Sequence, residues 1–169
     1  MGQSVVQHSA VGGIMLTYHN ILTESEKQDI CNWHYTGNYA IYNLPAYDSL
    51  VSSQQGIANP ANAGNYYAFY DKDIFVGYIN LIQRNNKFSV GIAVRPDLCS
   101  QGYGRQMLLL CDGIAAAICP GKPLGLQVRS WNKRAIKCYQ NAGYVITGDE
   151  YELTTPSGKG MFYRMIKQP

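Results

Sequence analysis

The chain has 169 residues and a mass of 18.8 kDa, which fits one ordinary domain. Apolar residues make up 46% of it and charged residues 15%, so wholesale disorder is excluded. The net charge of +3 comes without an extended basic run, which excludes the charge pattern of a nucleic-acid-binding protein. The 5 cysteines form no Cys-x-x-Cys pair, a usage typical of reduced cytoplasmic thiols, so neither a disulfide framework nor a metal site is predicted.

The N-terminal residues lack the features expected of a secretory signal. Residues 1–13 contain no Lys or Arg and no sustained apolar stretch, so we interpret them as a flexible leader. No apolar run reaches the roughly 18 residues that span a bilayer, and no linker divides the chain. We therefore expect a cytoplasmic protein with no membrane partner and a single domain over residues 14–169.

The first half of the chain predicts a strand, two helices and a three-strand meander. Thr23 and Glu26 have the spacing of a capping box, which places a helix start there. Pro45 suits the first turn of a second helix that runs to about residue 55, and residues 56–65 have the composition of a loop. The predicted strands are residues 14–18, 66–70, 74–82 and 88–94.

The second half predicts two amphipathic helices, an intervening strand and a final hairpin. Apolar positions between residues 107 and 118 repeat on one helix face. Asn132 predicts the N-cap of the next helix and Gly143 its left-handed C-terminal stop. The remaining predicted strands are residues 124–128, 144–153 and 161–166. This element order predicts a mixed α/β fold of the α+β kind.

One predicted strand runs through glycines directly into a helix. Gly102 and Gly104 precede or open that helix, and consecutive backbone N–H groups at a helix N-terminus bind phosphate or pyrophosphate. Arg105 in the first turn would add a charge-assisted contact. The alternative is a simple tight turn, because Gly-x-Gly alone is a weak pattern. A dinucleotide fingerprint is less favoured, since Met107 stands at its third glycine position.

Two segments together resemble the GNAT N-acetyltransferase superfamily. Its fingerprint joins a strand-Val-x-Pro segment and an Arg/Gln-x-x-Gly-x-Gly/Ala loop to an Asn-x-x-Ala-x-x-x-Tyr-x-x-x-Gly-Phe/Tyr helix. The element order resembles the family over residues 14–167, and the specific motifs occupy residues 88–144. The matching residues are Val94, Pro96, Gly102, Gly104, Asn132, Ala135, Tyr139, Gly143 and Tyr144.

The resemblance also contains a departure. Cys99 stands where the family usually has Arg or Gln, and Ser100 where it commonly has Gly. Backbone amides bind the pyrophosphate in the family, so we expect binding to survive. A nucleophilic Cys99 is an alternative, but His8, His19 and His34 are all distant in sequence, which favours a small packing residue.

The resemblance implies a GNAT-like splayed, mainly antiparallel sheet of six to seven strands with about four helices. It implies transfer of an acetyl group from acetyl-CoA directly to a primary amine of a small molecule or peptide. The pyrophosphate would lie on the loop amides and the pantetheine arm along the preceding strand, whose edge can pair with an extended amide. The implied cofactor-binding residues are Ile92, Ala93, Val94, Cys99, Ser100, Gln101, Gly102, Tyr103, Gly104, Arg105 and Asn132.

Tyr139 is the candidate general acid that the resemblance implies. Attack of an amine on the thioester expels a thiolate, which needs a proton. An ordinary tyrosine has a pKa of about 10 and stays protonated at neutral pH, so a phenol suits this task. The alternative is a core aromatic residue, which is the usual role of a tyrosine in a chain that has 14 of them.

The acceptor site and the general base are less well defined by the sequence. Aromatic side chains with polar tips would form the walls of the acceptor site and would suit a cationic amine. The expected wall residues are Trp33, Tyr35, Tyr39 and Tyr78, with Tyr42 nearby. The alternative is packing, which is the commoner role of such residues. Residues 88–94 contain no Asp or Glu to act as base. Glu150 and Glu152 are weak candidates, since a solvated strand edge explains them equally well.

Other functional classes stay open. A non-catalytic acyl-CoA-binding or sensor module would bind the cofactor without turnover. A structural protein would neither bind the cofactor nor catalyse a reaction. The presence of Tyr139, Asn132 and the glycine loop together favours the enzyme. The oligomeric state is not fixed by the sequence, and a symmetric dimer is the commonest assembly among soluble homo-oligomers.

Overall fold

The computed structural model describes residues 10–11 and 13–169. They form two compact units, of which unit 1 contains the chain up to Asn80 with Ile92–Cys99, and unit 2 contains Leu81–Gly91 with Ser100–Pro169. Residues 1–9 and 12 of the predicted leader lie outside the described residues. The single domain over residues 14–169 stays a prediction.

Unit 1 consists of an antiparallel sheet and two α-helices. Its strand order is β1-β2-β3-β4, where β1 (Ala10–Val11) pairs with β2 (Ile14–Asn20). A short strand that was not predicted therefore lies inside the predicted leader. The other elements are α1 (Glu24–Asn32), α2 (Tyr47–Ser53), β3 (Tyr66–Asp71) and β4 (Ile74–Gln83, which continues into unit 2). Short 3₁₀ helices cover Gly37–Tyr42, Gly56–Ala58 and Pro60–Asn65.

The helix starts of unit 1 follow local chemistry. The capping box is confirmed, because the Thr23 hydroxyl accepts from the Glu26 amide at 3.2 Å and the Glu26 carboxylate accepts from the Thr23 amide at 2.7 Å. The second helix begins at Tyr47, so the predicted start at Pro45 is wrong. Ala46 is its N-cap, and the Ala46 carbonyl accepts the first intrahelical hydrogen bonds.

Aromatic rings join the helices of unit 1 to its sheet. Tyr70 lies against Phe75, which packs on Trp33, and Trp33 stacks on Tyr78 with ring centroids 6.1 Å apart. Tyr78 in turn lies against Tyr66. These rings surround a buried apolar cluster that includes Leu22, Ile30, Leu50, Ile57 and Ala68. The apolar faces of helix α1 and strand β3 therefore pack into one core.

Unit 2 contains the remaining strands except the end of the strand Phe88–Val94, together with the glycine loop from Ser100 onward and the helix motif that begins at Asn132. Arg84 and Lys87 close the turn between β4 and β5 (Phe88–Val94), and the strand order is β5-β6-β8-β7. β5 and β6 are parallel and in register at Phe88 and Ser89, whereas the other pairs are antiparallel. The other elements are α3 (Tyr103–Ile118), β6 (Leu124–Arg129), α4 (Lys133–Asn141), β7 (Val145–Thr155) and β8 (Gly158–Lys167).

The predicted fold class is confirmed. Seven strands of at least 6 residues, mostly antiparallel, accompany four α-helices and the two-residue β1. In unit 2, α3 buries Met107, Leu108 and Cys111, and Tyr144 and Met165 are also fully buried. Among the described residues, no helix has the length and apolar character needed to cross a membrane.

Candidate active site

The end of β5 and the turn after it lie in unit 1 and carry several of the predicted cofactor-binding residues. The side chains of Ile92, Ala93 and Val94 are partly exposed. The Arg95 amide donates to the Val76 carbonyl at 2.8 Å, which holds the end of β5 on β4. The Arg95 guanidinium binds Asp97 through two hydrogen bonds, which hold the pKa of that carboxyl below its usual value. A 3₁₀ turn at Pro96–Leu98 then leads the chain toward Ser100.

The carbonyl of Val94 accepts two side-chain donors. The Tyr35 hydroxyl donates to it at 2.6 Å, and the Cys99 thiol lies 3.7 Å from it. The same thiol is 3.7 Å from the Arg95 carbonyl. In this structure Cys99 therefore packs its sulfur against backbone oxygen at the end of β5.

The loop into α3 has the backbone shape of an anion cradle. Ser100 has a φ of 64° and Gly102 one of 91°, so two left-handed residues turn the chain before the helix begins. Gly102 is the N-cap and has no side chain to cap the helix, and the first turn of α3 contains no acidic residue. The Gln106 amide donates to the Gly102 carbonyl at 3.2 Å, and helix geometry supplies no acceptor within α3 for the amides before it. This end of the helix suits a phosphate group.

Arg105 contacts a different helix from its own. Its Nε donates to the Asn141 carbonyl at 3.0 Å, which is the last residue of α4. The terminal amino groups of this guanidinium make no hydrogen bond to the residues that the structure describes. The predicted phosphate contact of Arg105 stays a prediction, and its observed contact joins α3 to α4.

Asn132 and Tyr139 lie about two helical turns apart at α4. Asn132 is buried and caps the helix, because its Oδ1 accepts from the Ala135 amide at 3.0 Å, which confirms the predicted cap. Tyr139 is partly buried, and its ring centroid lies 6.4 Å from that of Tyr144. Gly143, at a φ of 95°, turns the chain after the helix so that the two rings meet. Burial raises the pKa of Tyr144 above its ordinary value.

The four predicted wall residues have different environments in unit 1. Trp33 and Tyr78 stack on each other and contact the buried cluster, where desolvation raises the pKa of Tyr78. Tyr35 binds the Val94 carbonyl, and Tyr39 lies partly buried in the 3₁₀ helix Gly37–Tyr42. Packing therefore accounts for Trp33 and Tyr78 at least in part, and acceptor contact stays a prediction for all four.

The weak base candidates lie on the exposed strand β7. Glu150 and Glu152 are both exposed. Lys159 of the neighbouring strand pairs with Glu152 at 3.0 Å. A solvated strand edge explains both residues.

Two buried charged side chains were not identified from the sequence as functional candidates. In unit 1, Glu26 is 5% exposed and its carboxylate accepts from His19 Nε2 at 2.8 Å and from the Tyr70 hydroxyl at 2.5 Å. In unit 2, Arg129 is 4% exposed and donates to the turn carbonyls of Ser157 and Gly158. Tyr70 is 44 residues from Glu26 in the chain, so no local pattern signals that contact.

A comparison with protein-family models identifies the family in which the glycine loop and α4 occur together. The model of the Acetyltransferase (GNAT) family matches residues 27–144, which include both motifs. The chain belongs to the GNAT acetyltransferase family. It is therefore an acyl-CoA-dependent N-acyltransferase, and acetyl-CoA is the co-substrate that the family uses.

Solved structures of GNAT enzymes share this fold. The spermidine N-acetyltransferase from Vibrio cholerae in complex with CoA and spermine has a TM-score of 0.70 at 20% identity, covering 90% of this chain and 95% of that chain. The ribosomal-protein-S18-alanine N-acetyltransferase from Escherichia coli has a TM-score of 0.61 at 19% identity, covering 91% and 94%. A comparison with curated protein sequences found no match.

The strained residue Ser100 provides a test of the GNAT loop. A non-glycine residue in the left-handed region costs about 1–2 kcal/mol of stability. Glycine removes this cost, but part of the benefit is offset because glycine loses more chain entropy on folding. We expect Ser100→Gly to raise the free energy of unfolding by about 0.5 kcal/mol and to retain acetyl-CoA affinity. Urea unfolding and calorimetric titration measure both quantities. Ser100→Ala is the control, which keeps the Cβ and should gain no stability.

The acetyl-CoA affinity of Ser100→Gly distinguishes binding of the pyrophosphate by the backbone from binding by the serine side chain. Retained affinity agrees with amides that hold the pyrophosphate. If Ser100→Gly and Ser100→Ala both lose acetyl-CoA affinity, the serine hydroxyl is the contact, which contradicts a backbone cradle at this position.

Glu26 predicts an acid-sensitive contribution to stability. Burial acts to raise its pKa, but the hydrogen bonds from Tyr70, Thr23 and His19 outweigh burial and leave the pKa below its usual value. A lowered pKa in the folded state stabilises the fold above the unfolded pKa of about 4.3 and loses this effect as the pH falls through the folded value. We expect Glu26→Gln to lower the free energy of unfolding at pH 7 by about 1–3 kcal/mol.

Urea unfolding of wild type and Glu26→Gln at decreasing pH measures this effect. The difference between them should shrink below a pH of about 4. Glu152→Gln is the control, because that exposed pair should contribute less than about 1 kcal/mol. A difference that stays constant down to strongly acidic pH would show that the carboxylate charge is not what stabilises the network.

Proposed function

We propose that this GNAT enzyme transfers the acetyl group of acetyl-CoA directly to a primary amine, with Tyr139 as the general acid. The observation that carries the proposal is the N-terminus of α3, where Gly102 at a φ of 91° opens a 16-residue helix without an acidic residue in its first turn. The dipole and amides of such a helix end favour a pyrophosphate. Acetyl-CoA carries this group, which supports acetyl-CoA as the donor.

The donor would extend along the residues that lead to this helix. In the proposal, the amides of residues 100–105 bind the pyrophosphate and the pantetheine arm follows Ile92–Val94 as an added strand would. Asn132 keeps its capping role, and the proposal adds a contact with CoA at the start of α4. Cys99, at the end of β5, is one of the proposed cofactor-binding residues.

Tyr139 would protonate the leaving group. The amine nitrogen attacks the thioester carbon, the tetrahedral intermediate collapses, and the carbon–sulfur bond breaks to release the CoA thiolate. The phenol of Tyr139 donates its proton to that sulfur and regains a proton from solvent. The acceptor attacks as a neutral amine, which either arrives neutral or loses its ammonium proton to water, and the attacking nitrogen then loses its extra proton to water. No carboxylate lies on β5 to act as the base. Proton donation of this kind contributes about 10²–10⁴-fold in rate.

The acceptor is proposed to be a small-molecule or peptide amine. The Vibrio cholerae relative was solved with spermine, and the Escherichia coli relative is named for an alanine of a ribosomal protein. Trp33, Tyr35, Tyr39 and Tyr78 are the proposed walls, and their ring faces suit a cationic amine. We place the enzyme in the cytoplasm, which agrees with its five free cysteines, and propose a homodimer as its assembly.

A thiol-release assay tests the proposal. The purified chain is incubated with acetyl-CoA and, separately, a polyamine, an amino acid, an aminoglycoside and a peptide with a free N-terminus. We expect thiol release that requires one class of amine and equals the acetylated amine found by mass spectrometry. Saturable acetyl-CoA binding without release by any amine would instead support a non-catalytic acyl-CoA sensor. A reaction confined to anionic or apolar amines would reject the aromatic cation site.

A further inference from the structure

Tyr35 is fixed at both its main chain and its side chain within unit 1. The Asn43 side chain accepts from the Tyr35 amide at 2.7 Å and donates to the Tyr35 carbonyl at 3.1 Å. The phenol then reaches the Val94 carbonyl at 2.6 Å, 59 residues away in the chain. These three contacts, which we call the Tyr35 clamp, hold the segment after α1 against the last residue of β5.

The carbonyl that Tyr35 binds lies on the side of β5 opposite β4. The Arg95 amide donates to Val76 of β4, and the carbonyl and amide of one trans peptide point in opposite directions. The Val94 carbonyl therefore points away from β4. Ile92 presents its backbone groups to the same side, because strand residues alternate with a period of two. This is the side where a pantetheine arm would add to the strand.

We propose that Tyr35 is a positioning residue that ends the hydrogen-bonding edge of β5 at the Val94 carbonyl and thereby sets where the thioester lies. This inference rests on the proposed function, in which the pantetheine arm follows Ile92–Val94. A pantetheine N–H needs a carbonyl acceptor. The Val94 carbonyl already accepts from Tyr35 and from the Cys99 thiol, so the arm binds at Ile92 and stops there.

A displaced register would move the thioester away from the position along β5 that the proposed reaction requires. If the Val94 carbonyl became available, the arm would gain a second acceptor two residues along, a shift of about 7 Å. Misplacement of a reacting carbon by only about 1 Å costs as much as a hundredfold in rate. The contacts to CoA outside this register would remain, so rate should fall much more than affinity.

The first test compares Tyr35→Phe with Tyr47→Phe. Both changes remove one phenol oxygen from unit 1, and the Tyr47 hydroxyl binds Glu24 on the exposed side of α1. We expect Tyr35→Phe to lower kcat about tenfold or more, with acetyl-CoA affinity nearly unchanged and the Tm within a few degrees of wild type. Tyr47→Phe should match wild type in kcat. An unchanged kcat in Tyr35→Phe, or a loss that parallels a loss of affinity and Tm, would overturn the proposal.

Asn43→Ala provides a second variant that leaves the phenol in place. It removes both contacts that fix the Tyr35 main chain, so it should lower kcat in the same direction. Because Asn43 acts on the Val94 carbonyl only through Tyr35, Asn43→Ala should add little to Tyr35→Phe in the double variant. Full additivity of the two losses in kcat would show that Asn43 acts elsewhere and would remove it from the clamp.

A readout that needs no turnover separates this inference from the proposed function. Carbonyl ¹³C shifts of Ile92 and Val94 are recorded by NMR while acetyl-CoA is added. In wild type, Ile92 should respond and Val94 should not, whereas in Tyr35→Phe both should respond. An Ile92 signal that is silent in wild type contradicts the proposed pantetheine path itself. If Ile92 responds but Val94 behaves alike in wild type and Tyr35→Phe, the donor path stands and the role of Tyr35 is overturned.

Discussion

Tyr139→Phe should lower kcat by at least about tenfold and leave acetyl-CoA affinity nearly unchanged. The variant keeps the ring that packs against Tyr144, whose centroid is 6.4 Å away, and removes only the proton donor. Without a donor, the sulfur leaves as an unprotonated thiolate, which raises the barrier for breakdown of the intermediate. Steady-state kinetics with a saturating amine and calorimetric titration with acetyl-CoA measure the two effects.

The control for this variant is Tyr163→Phe. Tyr163 is a partly buried tyrosine of β8 in the same unit, and it has no role in the proposed mechanism. Its kcat should equal that of wild type. A Tyr139→Phe enzyme with wild-type kcat would remove Tyr139 from the acid role and leave it as a packing residue of α4. A loss of kcat in both variants would point to a general effect on the fold.

Gly102→Val should weaken acetyl-CoA binding by about tenfold or more. Gly102 has a φ of 91°, where a β-branched residue is a severe outlier. A left-handed non-glycine residue costs about 1–2 kcal/mol, so the loop would hold its binding shape in only a small fraction of molecules. The apparent affinity falls by that fraction, and calorimetric titration measures it.

Gly121→Val is the matched control, since Gly121 lies beyond the other end of α3 with a φ of 78° and open space around its Cα. Both variants should lose similar stability in urea unfolding, because both place valine in the left-handed region. Only Gly102→Val should lose affinity. Equal affinity in the two variants would mean that the backbone shape at Gly102 does not form the pyrophosphate site.

The features that could be predicted from the sequence are those whose interacting residues are close together in the chain. The capping box at Thr23 and the cap at Asn132 were predicted because donor and acceptor are three residues apart. The glycine loop and α4 could be identified through their resemblance to the GNAT family, which the match over residues 27–144 then confirmed. The fold class followed from the same motifs and the element order.

Contacts between distant segments could not be predicted from the sequence. The bond from Tyr35 to Val94 spans 59 residues and that from Tyr70 to Glu26 spans 44, so no spacing rule connects these residues. The sequence suggested Tyr35 as an aromatic wall, but its hydroxyl contact depends on how the segment after α1 meets β5. The left-handed conformation of Ser100 was also hidden, because serine gives no signal for a positive φ.

Calorimetric titration with acetyl-CoA is the decisive experiment, because the proposed donor site holds the pyrophosphate at the N-terminus of α3. The purified chain is titrated at moderate salt with acetyl-CoA and, in parallel, with acetyl-pantetheine, which lacks the pyrophosphate. We expect saturable one-to-one binding of acetyl-CoA that is lost with acetyl-pantetheine. No binding of acetyl-CoA, or equal binding of both compounds, would contradict the assignment of the cradle at Ser100 to Arg105.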